Sequence, residues 1–425
     1  MRIRWGESAN PLQQEAPVRV TTLLNKLLHL PGLSIRDLKF EGDALILSFR
    51  RSFRLLTCPV CGTSVSGRFE ETTRRWRHLA LLGMPTYLEG PIRRLRCPTC
   101  QSVRTERVPW ARPSSDFTQP FEDVVGFLAQ SLSRTAVAKL THVSWETVGR
   151  IAGRLVAEKL DSQRFEGLQR IGVDEIAYRR HHQYLTVVVN HDTGKVVWAA
   201  EGKSAETLLG FFRELGPERQ ASIELVTMDL SAAYQKALRE ALPGAQIVFD
   251  KFHVAQLAQK ALDEVRRELV RELSPEQRPT LKKTRWALLR RPDTAPNPDK
   301  DEAKLSAIQK HNAPLYRGYL LKESLLEFLD APDREQAERE AKDWLTWATR
   351  SRLRPFVRLA RTLREHLEGV LAAVETGLTN ARLEGINNKI RLLSHRAYGF
   401  HSAKSLIATV YLCCAGVQLP VPTLV

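Results

Sequence analysis

The amino-acid sequence predicts a multidomain α/β protein. A small cysteine-bearing module and a group of short helices precede a mixed α/β domain, which a long all-helical insertion splits. Three observations carry that expectation. Two C-x-x-C pairs stand in the first hundred residues, apolar spacing switches from 3.6 to 2 near residue 170, and a charged helical pattern fills about 252–375. A chain of 425 residues also exceeds what one core organises. Its charge is unusual: 64 Lys+Arg against 48 Asp+Glu leave a net +16, which implies a polyanionic partner, most simply nucleic acid. No stretch approaches the roughly 18 apolar residues of a membrane span. The opening "MRIRWGESANPLQQEAP" carries no apolar signal segment, so a cytoplasmic protein without membrane contact is expected.

Residues 1–57 are expected to hold a helix at 21–30 and a strand at 44–49, with no readable role. Residues 58–115 form the predicted zinc module. Cys58-Pro-Val-Cys61 and Cys97-Pro-Thr-Cys100 each present two thiolates, and four thiolates around one Zn²⁺ leave no open position, so the ion is structural. The alternative, a disulfide or thioredoxin-like redox pair, has neither an export signal nor a βαβ context here. Nine arginines and no lysine lie between Cys58 and Trp110. Guanidinium groups bind phosphate bidentately, so Arg74, Arg75, Arg93 and Arg94 are the expected DNA contacts, interleaved with Trp76 and Trp110. A plain solvated basic surface is the other reading.

Residues 116–160 read as helices at 121–131 and 134–140, a turn at Thr141-His142-Val143, and a third helix capped by Ser144. In that third helix Val148, Ile151 and Leu155 share the inward stripe. Thr147, Arg150 and Arg154 are then expected outside, with Trp145 near the start. This is the pattern of a helix-turn-helix DNA reader, although helical hairpins of other function share it.

The mixed domain is expected at 165–252 and 375–412. Strands at 170–178, 183–190 and 195–202 are followed by a helix, a strand at 223–229, a helix, "QIVFD" ending at Asp250, and a long helix from Phe252. That order predicts a ribonuclease-H-like sheet. Asp174 and Asp229 both lie at or near the ends of apolar strands. Two strand-end carboxylates brought together repel, and a divalent cation is one remedy; each alone also suits a turn or a helix cap. Downstream, "TNARLEGINNKIRLLSHRAYGF" (379–400) places Asn380, Glu384, Asn387 and Arg391 together on one helical face, apart from the apolar stripe of Leu383, Ile386, Ile390 and Leu393. One acid among amides and an arginine suits a metal and a phosphate. Residues 253–374 are the predicted insertion. Its basic and aromatic residues Lys282, Lys283, Arg285 and Trp286 are expected along a DNA backbone, with Trp344 and Trp347 either packing or supporting a displaced base.

The strings "IGVDEIA", "VTMDLSAAY", "IVFDKFHVAQLAQKALDEVRREL" and "TNARLEGINNKIRLLSHRAYGF", behind the double C-x-x-C module and the helix-turn-helix, resemble the transposases of the ISL3 family of bacterial insertion sequences. The resemblance covers nearly the whole chain past residue 57. It implies a DDE transposase whose catalytic acids are Asp174, Asp229 and Glu384, holding two Mg²⁺ (or Mn²⁺) ions about 3.5–4 Å apart for in-line phosphodiester chemistry. Asp250-Lys251-Phe252-His253 resembles the acid-x-x-His signature of several DDE groups. Asp250, His253, Asn380, Asn387 and Arg391 are accordingly expected in support, His253 either orienting a phosphate or carboxylate or simply packing at the helix start. The implied partners are double-stranded DNA, both terminal inverted repeats and target, and a second copy of the chain, in a nucleoid-associated setting. A non-catalytic DNA-binding regulator and a simple nuclease of the same architecture are the competing readings.

Overall fold

The computed structural model describes residues 19–28, 30–179, 183–276, 278, 281, 283–290, 296–378, 380–397, 399–400 and 402–422. Two units divide the chain: Met1–Glu158 with Gln418–Val425, and Lys159–Val417.

In the first unit helix α1 (Val20–Leu28) precedes strands β1 (Leu33–Glu41), β2 (Ala44–Arg51), β3 (Leu56–Thr57), β4 (Ser64–Val65), β5 (Glu70–Leu81), β6 (Met84–Cys97) and β7 (Ser102–Thr105). The main sheet runs β1-β2-β6-β5, with β7 also on β6, while β3 and β4 form a separate small hairpin beside the first cysteine pair. Alternation along β6 turns Thr86, Leu88 and Ile92 inward. They close over an aromatic centre in which Trp76 and Trp110 meet edge to face at 5.6 Å and Phe49 stands 4.9 Å from Trp110. Both tryptophans are fully buried, which removes them from the predicted basic surface. The boundary expected at 57/58 also falls inside one structure, because β2 pairs in parallel with β6.

His78, buried in this unit, places Nδ1 2.8 Å from Thr118 Oγ1, and burial pushes its pKa down to about 4. The unfolded chain takes up that proton near the ordinary value of about 6.5. Stability is therefore complete above that value and declines as pH falls towards 4. At pH 5 the loss is about 2 kcal/mol. Thermal unfolding of the full chain at pH 7 and pH 5 should show this loss, and His78→Gln should flatten it.

Helices α2 (Gln119–Ser131), α3 (Arg134–Thr141) and α4 (Trp145–Lys159) follow. Each start is capped by a hydroxyl: Thr118 accepts from Phe121 N, Ser133 from Ala136 N, and Ser144 from Thr147 N at 3.2 Å. His142, at a left-handed φ of 52°, closes α3 and makes the turn. Val148, Ile151 and Leu155 are fully buried, as their spacing predicts. Thr147 is not outside. It is 6% exposed, because it lies only roughly 40° around the helix from Ile151.

Arg154 also departs from expectation. Its Nε donates at 2.8 Å to Glu122, a fully buried carboxylate that Arg112 Nη1 (3.2 Å) and Ser115 Oγ (2.7 Å) also serve. Arg112 in turn holds Asp123 and Glu158. Removing one member of a buried charged set leaves the others uncompensated. Glu122→Ala is therefore expected to cost about 3–5 kcal/mol in urea unfolding, more than any surface arginine of the same unit.

The second unit contains β8 (Arg170–Arg179), β9 (Gln183–Asn190), β10 (Val196–Glu201), α5 (Ala205–Leu215), α6 (Pro217–Gln220), β11 (Leu225–Met228), α7 (Ala232–Ala241), β12 (Gln246–Phe249) and α8 (Lys251–Glu272). Its sheet order is β10-β9-β8-β11-β12. The first three strands are antiparallel, and β8, β11 and β12 are parallel. Helices α9 (Arg285–Leu289), α10 (Pro298–His311), α11 (Ala313–Leu329), α12 (Arg334–Arg350), α13 (Arg354–Glu365) and α14 (Leu367–Thr376) follow, then α15 (Ala381–Arg396) and α16 (Ala403–Cys414).

One face of the sheet, with Ile171, Val173, Val188 and Met228, packs on α5, α7 and α8. That apolar cluster continues without a break through Leu262, Leu321, Trp344 and Phe356 of the helical segment. The predicted insertion thus shares its core with the sheet. Its expected end at 374 also falls inside α14, which lies on β12 so closely that a Cβ on Gly369 would sit 2.5 Å from Phe249. The opposite face, with Ile176, Leu185 and Val187, packs on α15 and α16 through Leu383, Ile390 and Leu406. No helix among the described residues is long and apolar enough to cross a membrane.

Candidate active site

Strand register brings the aspartates into a row. Val173 pairs with Met228 on β8 and β11, and Met228 with Phe249 on β11 and β12. The next residue on each parallel strand is an aspartate: Asp174, Asp229 and Asp250. Adjacent strands lie about 4.8 Å apart, so the row aligns three carboxyl groups at the carboxyl edge of the sheet. Alternation then assigns faces. Ile171 and Val173 point to the α5 and α7 side, so Gly172 and Asp174 point to α15. Gly172 makes that approach possible: a Cβ there would stand 2.2 Å from Leu383 Cδ1. One turn beyond Leu383, the buried Asn387 donates Nδ2 to Asp174 Oδ2, while Glu175 N donates to Asp174 Oδ1 at 2.7 Å. Arg382 fixes the start of the same helix on the carbonyls of His191 and Asp192. Glu175 takes the other face, 4.0 Å from Lys203.

The electrostatics are those of crowded acids. Burial, and then the charge of Asp229, push Asp174 up to about 6. His253, in the first turn of α8, puts Nδ1 2.8 Å from Asp229 Oδ1 and 3.2 Å from Asp250 Oδ2. These two carboxylates, Asp229 foremost, raise its pKa to about 10. One N–H donates along one line only. The better-aligned hydrogen bond goes to Asp250, while Asp229 Oδ1 stays in ion-pair contact with the same imidazole. The crowded carboxylates of Asp174 and Asp229, hard oxygen donors with the charge of one raising the pKa of the other, fit a divalent cation such as magnesium.

Asp229, Asp250 and His253 have ligand atoms within 4.8 Å of one another. Asp174, Asp229 and Glu384 do not form such a group among the described residues. Glu384 is exposed, but it lines the same cavity of about 530 Å³ as Asp174, Asp250 and Asn387. A smaller cavity of about 280 Å³ joins Asp174, Asp229 and His253.

The four N-terminal thiols form the second cluster, also within 4.8 Å, with Cys61 and Cys97 sulfurs 3.5 Å apart and Cys58 and Cys100 sulfurs 4.0 Å apart. Four sulfurs at about 2.3 Å from one tetrahedral zinc are about 3.8 Å from each other, so the set fits a structural Zn²⁺.

Residues 171–410 match a family described as "Transposase", residues 106–156 the "Helix-turn-helix domain of transposase family ISL3", and residues 54–100 the "zinc-finger of transposase IS204/IS1001/IS1096/IS1165". The chain is 37% identical over 422 residues to the transposase for insertion sequence element IS1557 of Mycobacterium tuberculosis, covering 91% of this chain and 94% of that one. The chain belongs to the ISL3 transposase family. It is also 30% identical over 365 residues to the transposase for insertion sequence element IS1001 of Bordetella parapertussis, covering 84% and 89% of the two chains.

In this ISL3 transposase most arginines expected on DNA are already engaged. Arg74 pairs with Asp116, Arg75 with Glu41 and Glu89, Arg93 with Glu71, and Arg94 with Glu70. Trp145 is half-buried with the Arg134 guanidinium 5.2 Å over its ring, and Arg150 is exposed with Nη2 on Thr147 Oγ1. Lys282 lies outside the described residues. Lys283 and Arg285 are exposed, and Trp286, 56% exposed, has the guanidiniums of Arg285 and Arg290 5.2 and 5.3 Å from its ring. Arg391 is exposed on the cavity wall and donates to Asn388. Trp344 is core, donating Nε1 to Leu321 O. Sequence reasoning placed Asp250 only in support. The signal for its place in the row was three apolar triplets, "IGV", "VTM" and "IVF", each followed directly by Asp.

Proposed function

We propose that this ISL3-family chain binds the terminal inverted repeats of its insertion sequence and performs magnesium-dependent DNA cleavage and strand transfer at the aspartate row. The observation that carries the reading is the register that sets Asp174 and Asp229 side by side, close enough for the charge of Asp229 to help push Asp174 up to about 6. The strand order, three antiparallel strands followed by two parallel ones, supports a ribonuclease-H-like sheet interrupted by the helical segment. Asp174 and Asp229 would hold the ions, with Asp250 near Asp229 and Glu384 across the shared cavity as the third acid. Magnesium or manganese, when bound there, supplies the Lewis acidity for both the entering and the departing oxygen of a phosphodiester.

The protein's own groups set the geometry. Asn387 orients Asp174, His253 holds Asp250, and Arg382 anchors the helix bearing Glu384. In the first step water adds to phosphorus and the bond to the 3′ oxygen breaks, that oxygen taking a proton. In the second the freed 3′-OH adds to a target phosphodiester and displaces a new 3′-OH. Holding two element ends for joining suits a homodimer.

The test is a joining assay with pre-cleaved terminal-repeat DNA, a target plasmid and Mg²⁺. Joined products that vanish with Asp229→Asn are expected. Binding without joining or cutting would favour a regulator, and nicking without joining a nuclease.

A further inference from the structure

The smaller cavity beside the aspartate row contains a cation that the acids do not use. Helix α8 turns Phe252, Ala255 and Gln256 to the cavity that holds Glu384. It turns His253, Leu257 and Lys260 to the one of about 280 Å³ that joins Asp174 and Asp229. Lys260 is exposed and forms no ion pair with any described residue. Seven residues beyond His253, it lies about 10 Å further along the helix axis. Side chains on a helix lean back towards its start, so the long stem brings the ammonium towards the row. Ser231 lines the same cavity, and its hydroxyl does not cap α7. Glu175, the remaining acid of the cavity, is offset by Lys203 4.0 Å away. An ammonium and a hydroxyl suit a phosphate, and contacts of that kind read no sequence.

The reaction involves a strand that must be held in this way. Water, and then the freed 3′-OH, each break a bond from phosphorus to a 3′ oxygen. The reacting phosphate therefore stays with the strand attached through its 5′ oxygen. That strand is the donor flank in cleavage and the target in joining, and the element dictates the sequence of neither. We propose that Lys260, with Ser231, holds the phosphate adjacent to the reacting one on this exchanged strand, while the Glu384 cavity keeps the element's own end. The inference rests on reading the aspartate row as the cleavage site. Lys260 is a positioning residue, since it reaches a neighbouring phosphate and not the phosphorus that reacts.

The test uses the full chain and element ends that are either pre-cleaved or still joined to flanking DNA. Calcium in place of magnesium allows binding to be read without cleavage. There, flanking DNA should strengthen binding by wild type and hardly change it for Lys260→Ala, while both proteins bind the pre-cleaved end alike. In magnesium, Lys260→Ala should cleave flanked ends about tenfold more slowly and need about tenfold more target for half-maximal joining, with Lys260→Arg restoring both. An uncharged methylphosphonate at the flank phosphate next to the reacting one should slow wild type by a similar factor and Lys260→Ala no further. Equal flank dependence in the two proteins, weaker binding of the pre-cleaved end by Lys260→Ala, or a methylphosphonate penalty that Lys260→Ala keeps in full at every flank position would each overturn the proposal. Asp229→Asn separates the two readings: cleavage by that variant would refute the aspartate-row chemistry, whereas flank-dependent affinity in calcium reports on Lys260 alone.

Discussion

Asparagine at position 229 is expected to lower DNA joining at least about a thousandfold, roughly 4 kcal/mol of barrier, while leaving DNA affinity within a few-fold. Asp229 stands at the centre of the row, beside Asp174 on one strand and Asp250 on the other, with His253 Nδ1 2.8 Å from its Oδ1. Loss of its charge would therefore remove one of the proposed cation ligands without opening a cavity. Two effects oppose in the metal-free fold: the neutral side chain relieves repulsion on Asp174 but takes from the His253 imidazolium the carboxylate that raises its pKa most, so the melting temperature of Asp229→Asn should stay within a few degrees of wild type. Magnesium should raise the wild-type melting temperature and leave the variant unchanged. A variant that joins DNA normally, or that simply unfolds, would contradict this account. Asn387→Ala, which leaves the acids in place but frees Asp174, should cost a smaller factor of about 10–100. Asp250→Asn and Glu384→Gln, compared directly, report which acid completes the set.

Stripping zinc from the N-terminal cluster is expected to unfold the part of the first unit around it and abolish specific DNA binding. Zinc in a four-thiolate site contributes about 10 kcal/mol or more to folding, more than the rest of a small module supplies. The hairpin of β3 and β4 is two residues deep on each side and packs only a small apolar cluster, Leu56 and Leu95 with Cys58 and Cys97. Without the ion little else holds the two knuckles together. Elemental analysis should give one zinc per chain, and a strong chelator should release it with loss of terminal-repeat binding. Cys97→Ser, at a buried position, should be more damaging than Cys61→Ser at an exposed one. A chain that keeps its fold and DNA affinity through chelation would refute the structural role.

What the sequence discloses follows from the range of the interaction concerned. Helix starts at Thr118, Ser133 and Ser144 are local, each bond reaching three residues, and the turn signals around them mark α2 to α4 well. The aspartates that follow apolar triplets are legible for the same reason, although β8 runs on past Asp174 to Arg179. The fate of the arginines is not: Arg154 meets Glu122 32 residues away, and Arg75 meets Glu41 at a separation of 34. A helical wheel shows which way Arg154 leaves the backbone but not that a buried acid waits there. Thr147 fails for a subtler reason, since a stripe of three apolar residues leaves its edge undefined. The pairing of β2 with β6 joins segments some forty residues apart in parallel, and no local pattern announces a partner at that distance. In the candidate site, spacing on α15 gathers Asn380, Glu384 and Asn387 correctly into one cavity. It cannot reveal that Asp250, three residues before a histidine, closes the aspartate row.

The unbroken apolar cluster running from the sheet into the helical segment has a mechanical consequence. Helix α8 begins beside the aspartate row and continues for 22 residues, so its first turn and the far helices belong to one packed body. Nucleic acid pressing on the far helices would transmit displacement to His253 and the neighbouring acids instead of dissipating it at a hinge. Transplanting the segment between relatives would then require its supporting strands to travel with it.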